Sequence, residues 1–142
     1  MAKTKVKRIF SVHGSANPNA PYAHAVIYGN MVFVSGQGPL DPNTHKVVKA
    51  PFAEQAKLAL TNLKTVLKSV GSSMDHMLTA TVALKNKEDW EEFNEIYKTF
   101  IKPGKFPARI SIEGQVPSGK GSNEILVGVQ CVAHIPEKRI GK

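Results

Sequence analysis

Between stretches of period-two patterning, the chain switches for one long segment to a helical period. From Pro51 to Val70, the apolar residues Phe52, Ala56, Leu60, Leu63, Leu67 and Val70 recur at three- and four-residue steps. That spacing lays one apolar stripe along a long helix, and the stripe must be buried against another layer. Pro51 suits a first helical turn, and Gly71 suits the left-handed position just past the end. The flanks read as strands. Val6 to Val12 alternates at its start, and Ala23 to Tyr28 and Met31 to Ser35 are β-type runs separated by Gly29-Asn30, a two-residue hairpin signal. Met77 to Lys85, Ala108 to Gln115 and Glu124 to Ile135 read as three more strands. Asn86, with Asp89 three residues on, suits the cap of a second helix whose stripe is Trp90, Phe93, Tyr97, Phe100 and Ile101, closed by Pro103-Gly104. Loops are expected at Ser15 to Pro21 and Val116 to Asn123, and a turn at Asp41 to Thr44. The order β-β-β-α-β-α-β-β predicts an α+β sandwich, a mostly antiparallel sheet with two helices on one face.

With 142 residues the chain is one domain, 1–142, long enough to bury a core without disulfides or metal as staples. The longest apolar run, Ala25 to Val34, is interrupted by Gly29 and Asn30 and falls well short of a membrane span. The single cysteine, Cys131, excludes an intrachain disulfide framework and points to a reducing compartment. The expected address is cytoplasmic, with an organellar one open, and no membrane partner is expected. Nineteen Lys and Arg against eleven Asp and Glu give a net charge of +8. Seven of those nineteen cations lie in the tails, about 1–8 and 136–142, so the body is close to neutral. No basic-aromatic recognition pattern accompanies the charge, which reads first as solubility and weak nonspecific binding. The first acid is Asp41, which raises a basic targeting peptide, but Val6 to Val12 looks more like a strand than a cleavable helix.

Few catalytic patterns fit. The five histidines never fall within four residues of one another, so the sequence holds no compact metal-ligand pair and no His-His constellation for phosphodiester cleavage. There is no Gly-x-Ser-x-Gly elbow, and Gly114 to Gly121 lacks the Gly-Lys-Ser/Thr ending of a phosphate loop. Cys131 reads as a small buried hydrophobe rather than a reactive thiol. Three segments are too polar or too constrained for simple strands: Pro21 to Ala25, Phe33 to Pro39, and Phe106 to Ser111. In the last, Arg109 starts a strand that should be half buried, so it needs an anion, supplied either by a protein carboxylate or by a ligand.

Those segments carry a resemblance. Gly29 to Gln37 and Phe106-Pro107-Ala108-Arg109 resemble signatures of the reactive intermediate deaminase family, the RidA type, also known as L-PSP endoribonucleases. Glu54-Gln55-Ala56, Leu60, Asn62-Leu63, Gly71 to Asp75, Thr79 to Lys85 and Phe93 to Tyr97 fit the same pattern, from about Ile9 to Ala133. The resemblance implies a chorismate-mutase-like fold that assembles as a homotrimer with a barrel at its core and sites at subunit interfaces. It implies hydrolysis of enamines and imines such as 2-aminoacrylate and 2-iminobutanoate to 2-keto acids and ammonia, with no cofactor and no metal. Arg109 would hold the carboxylate of a small substrate, with Ser35 and Gly36 completing the catalytic set. Tyr22, Asn94, Ser111 and Gly128 fall at further substrate-binding positions.

One departure matters. The family places a water-activating glutamate on the last strand, where this chain has Gly128, and a second glutamate where it has Gln130. A general base is worth roughly 10²–10⁴ in rate. Glu124 and Glu113 share strand faces with Gly128 and Arg109 respectively, but four residues of strand is about 13 Å, too far to substitute. The leading expectation is a RidA-like deaminase. The first alternative is a noncatalytic trimer that binds small carboxylates through Arg109. A further one is an endoribonuclease acting on single-stranded RNA, which the net charge motivates.

Overall fold

The hairpin at Gly29-Asn30 closes in the computed structural model, which describes residues 4–12, 20–114, 116 and 124–137. Tyr28 pairs with Met31 across the turn, and Gly29 takes the left-handed φ of +63° that a two-residue turn needs. Among the described residues six strands form: β1 (Val6–Ile9), β2 (Ala25–Tyr28), β3 (Met31–Gln37), β4 (Met77–Leu84), β5 (Ala108–Glu113) and β6 (Val127–His134). Two α-helices, α1 (Phe52–Ser69) and α2 (Trp90–Tyr97), complete the expected order. The sheet runs β1-β2-β3-β6-β4-β5, antiparallel at every pairing except the parallel β4/β5 edge.

The α1 stripe is buried as its period requires, with Ala56, Leu60, Leu63, Val66 and Leu67 packed on β3 and β6. Its end is a Schellman closure. Gly71 sits at φ +85°, its N–H donates to the Lys68 carbonyl, and the Ser72 N–H donates to the Leu67 carbonyl at 2.9 Å. Pro51 stands one residue before the helix. The Asp41 turn forms as well, with Oδ1 accepting from the N–H groups of Asn43 and Thr44.

Several boundaries differ from the sequence reading. The last strand begins at Val127 rather than Glu124 because Gln55, buried on α1, captures the preceding backbone. Its Nε2 donates to the carbonyls of Val48 (2.9 Å) and Glu124 (2.8 Å), and its Oε1 accepts from the Leu126 N–H (2.8 Å). Asn62 does the same for the loop after β3, donating to the carbonyls of Gly38 and Leu40, both at 2.9 Å. The second helix is shorter than its stripe. Asn86 precedes a short 3₁₀ turn, Lys87–Asp89, and makes no side-chain cap bond. Beyond Tyr97 the backbone tightens to i→i−3 bonds, and the Thr99 hydroxyl takes the Ile96 carbonyl at 2.6 Å. Strand β3 runs on to Gln37 through a register shift between Val34 and Gln37. Most of the expected loops at Ser15 to Pro21 and Val116 to Asn123, with Gln115, His13 and the tail cations Lys3, Lys138, Arg139 and Lys142, lie outside the described residues.

Both helices cover one face of the sheet, over Val32, Val34, Val82, Val129, Cys131 and Ala133. The register places Tyr28, Phe33, Thr81, Ile110, Ile112, Gly128 and Gln130 on the other face. Among the described residues no helix is long and apolar enough to cross a membrane.

Candidate functional site

Pro107 ends the loop before β5, and two residues later Arg109 projects on the helix-covered side, paired in register with Ala80. Its guanidinium has a built seat. Nη2 donates to Asn94 Oδ1 at 2.7 Å, and Cζ lies 4.9 Å from the Tyr97 ring centre and 5.5 Å from that of Phe93. The rings brace one another: Phe93 and Tyr97 lie 5.4 Å apart, and Phe106 stacks on Tyr97 at 6.2 Å with an 18° interplanar angle. Cation–π contact and a neutral amide orient the charge without cancelling it.

Two sources for the anion were open at Arg109, and no carboxylate among the described residues of the chain pairs with it. The ion pairs among the described residues join Lys49 to Glu124, Lys98 to Glu95 and Lys102 to Asp75. Arg109 therefore carries an unneutralised guanidinium into an open groove of about 780 Å³ between α2 and the Phe106-Pro107 segment. Asn94 lines the groove with it; Ser111 shares the Arg109 face of β5 but stands outside the lining. Burial pushes the Tyr97 hydroxyl up to about 12, against the opposing pull of Arg109, so it is neutral in the working range.

The other expected site positions lie elsewhere. Tyr22 is exposed just before β2. The Ser35 hydroxyl donates to the Ala23 carbonyl at 2.5 Å, which ties β3 to the Tyr22 segment. Gly36 is exposed, with open space where a side chain would begin. Gly128 sits beside the end of β3 on the open face, opposite Ala83. Strands β3 and β5 are three sheet positions apart, about 14 Å at the usual strand spacing. Within one chain, Tyr22, Ser35, Gly36 and Gly128 thus form one group, and Arg109, Asn94 and Ser111 another.

Gly128 is not an empty space. A Cβ there would stand 2.9 Å from Val116 Cγ1, so the valine side chain occupies the place where a side chain at 128 would start. Within the chain both distant acids are engaged elsewhere. Glu124 lies outside β6 and pairs with Lys49 at 2.8 Å, and Glu113 Oε2 accepts from the Lys87 N–H at 3.0 Å. Cys131 is buried under the helices, and burial pushes its thiol up to about 12, so it is an inert core group. Sequence spacing missed one cluster. His76 and His134, distant in the chain, meet edge to face with ring centres 4.8 Å apart, and the Ser73 hydroxyl shares a 2.7 Å hydrogen bond with His76 Nδ1. Among the described residues no three His, Cys, Asp or Glu side chains converge as a metal site.

The family model for "Endoribonuclease L-PSP" matches residues 13–135, nearly the whole chain. The chain belongs to this family. A RutC family protein of Drosophila melanogaster is 38% identical over 130 residues, covering 92% of this chain and 91% of that one. The human 2-iminobutanoate/2-iminopropanoate deaminase is 32% identical over 126 residues, covering 88% and 91%. Among solved structures, yeast Mmf1 superposes with a TM-score of 0.80 at 26% identity, over 93% of this chain and all of that one. Escherichia coli TdcF with bound serine gives 0.77 at 27% identity, over 90% and 98%. The α+β fold, with its six-stranded mixed sheet and two helices, is the chorismate-mutase-like fold of RidA-type structures. Imine deaminases are among the relatives of this L-PSP family member.

Proposed function

We propose that this protein hydrolyses reactive enamine and imine intermediates of small 2-amino acids to 2-keto acids and ammonia. The observation that carries the reading is Arg109, an oriented guanidinium with no carboxylate partner among the described residues, on the wall of a groove. Its remaining N–H groups fit a substrate carboxylate in a two-pronged, charge-assisted contact, a geometry lysine cannot match. Water adds to C2 of the imine, a proton passes to nitrogen, and C–N cleavage releases ammonia and the 2-keto acid. The two groups of site residues join if the open face packs against further copies in a homotrimer, so that a neighbour brings Tyr22, Ser35, Gly36 and Gly128 to Arg109. Relatives named as imine deaminases and TdcF crystallised with serine support a small amino- or keto-acid ligand.

A specific observation favours a second reading, a trimer that binds small carboxylates without turning them over. At Gly128 the family's carboxylate is missing, and Val116 fills the start of its space. The test is the hydrolysis rate of freshly generated 2-iminobutanoate with wild type, Arg109→Ala, and Gly128→Glu combined with Val116→Ala. Acceleration over buffer that falls about ten- to a hundredfold in Arg109→Ala, the value of a charge-assisted contact, supports the deaminase. No acceleration in wild type, with a gain in the double variant, supports the binding reading.

A further inference from the structure

We propose that the Arg109 groove selects 2-imino monocarboxylic acids with an aromatic or comparably bulky apolar side chain, and rejects those bearing a second carboxylate. The proposal rests on the reading of Arg109 as the carboxylate anchor and adds what the rest of the groove recognises. In the single chain the groove measures about 780 Å³, part of which a neighbouring copy would take, and the stretch beside Arg109 is walled by this chain's own side chains. The walls beside Arg109 are aromatic. Trp90 and Phe106 both line the groove, yet each is 47% exposed. Trp90 begins the α2 stripe whose later members, Phe93 and Tyr97, are core residues; it stands out of the core and on the groove instead. Phe106 is held in place by its stack on Tyr97, the ring that also seats the guanidinium, so anchor and apolar wall keep a fixed separation.

The rim supplies the exclusion. Glu91, Glu92 and Glu95 line the groove, and its other cation, Lys98, is engaged by Glu95 at 3.0 Å. Glu91 and Glu92 have no cationic partner among the described residues. One carboxylate finds Arg109, whereas a second on the same ligand meets like charge.

The stable keto-acid products serve as probes in calorimetric titrations of the intact protein: 2-oxobutanoate, its 4-phenyl derivative and 2-oxoglutarate. The phenyl derivative is expected to bind about tenfold or more tightly than 2-oxobutanoate, from burial of one ring, with 2-oxoglutarate the weakest. Trp90→Ala, at an exposed position, should bring the first two to similar affinity. Glu91→Gln with Glu92→Gln should raise 2-oxoglutarate toward 2-oxobutanoate. Equal wild-type affinity for 2-oxobutanoate and its phenyl derivative, both lost in Arg109→Ala, would overturn the selectivity and leave the anchor standing. Binding that is absent, or indifferent to Arg109→Ala, would overturn the anchor and the selectivity together.

Discussion

At Arg109 a residue-scale question, which anion meets a half-buried guanidinium, has a geometric answer. The near neighbours are an amide and two rings, so the positive charge is oriented and has no carboxylate partner among the described residues, as the proposed role of a substrate anchor requires. Cys131 is the opposite case, a titratable group set where charge is unwelcome. Its thiol rises from 9.0 to about 12, and the nearby Tyr97 hydroxyl from 10.0 to about 12, both chiefly through burial. A raised folded value means that each group adds stability fully present below its unfolded value and lost as pH climbs through the folded one. The thermal midpoint should therefore hold to about pH 9 and fall between about 9 and 12, less steeply in Cys131→Val. A flat midpoint up to pH 11 would contradict this account of burial. By the same argument, Ellman's reagent at pH 8 should label Cys131 only after denaturant is added. That cysteine's burial was legible in the sequence. The neutral seat of Arg109 was not, because Asn94 and the two rings of α2 meet it only in the folded chain.

Among the elements, α1 was the most legible, since its apolar stripe, leading proline and trailing glycine all agree. What the hydrophobic pattern could not register is that two polar side chains on that helix face inward. Gln55 holds three backbone groups of neighbouring segments and Asn62 holds two. Glutamine at a helix position reads as solvated unless its tertiary partners are known. Gln55→Ala should cost about 3 kcal/mol in urea unfolding, because buried backbone groups lose their partners, and should speed hydrogen exchange at the Leu126 amide. A loss below about 0.5 kcal/mol, the size of an ordinary surface change, would mean that water replaces the amide. The truncation of α2 has a comparable cause: Thr99 and the i→i−3 bonds after Tyr97 end it before Phe100 and Ile101 can extend it.

For the whole molecule the telling surface is the sheet face that no helix covers. Ile110 and Ile112, 60% and 50% exposed, share it with Phe33 and Tyr28. Exposed apolar side chains on both halves of an uncovered face suit an association surface, and the separation of the two groups of expected site residues would give association a purpose. Wild type should have the light-scattering mass of a trimer. Ile110→Lys, at an exposed position of the isolated chain, should lower that mass to one chain while leaving the helical circular-dichroism signal intact, and imine hydrolysis should fall with it. A monomeric wild type would remove the composite site altogether.

Order of elements, the buried helix stripe, the hairpin turn and the core cysteine were determined by the sequence alone. Each rests on local spacing or backbone freedom, which a linear pattern records. The tertiary structure decided what depends on distance through space: the amide and rings around Arg109, the Val116 side chain over Gly128, the His76–His134 contact, and the division of the site residues into two groups. Hydrogen bonds and close contacts act over a few ångströms, and only the folded chain sets those separations between residues remote in sequence.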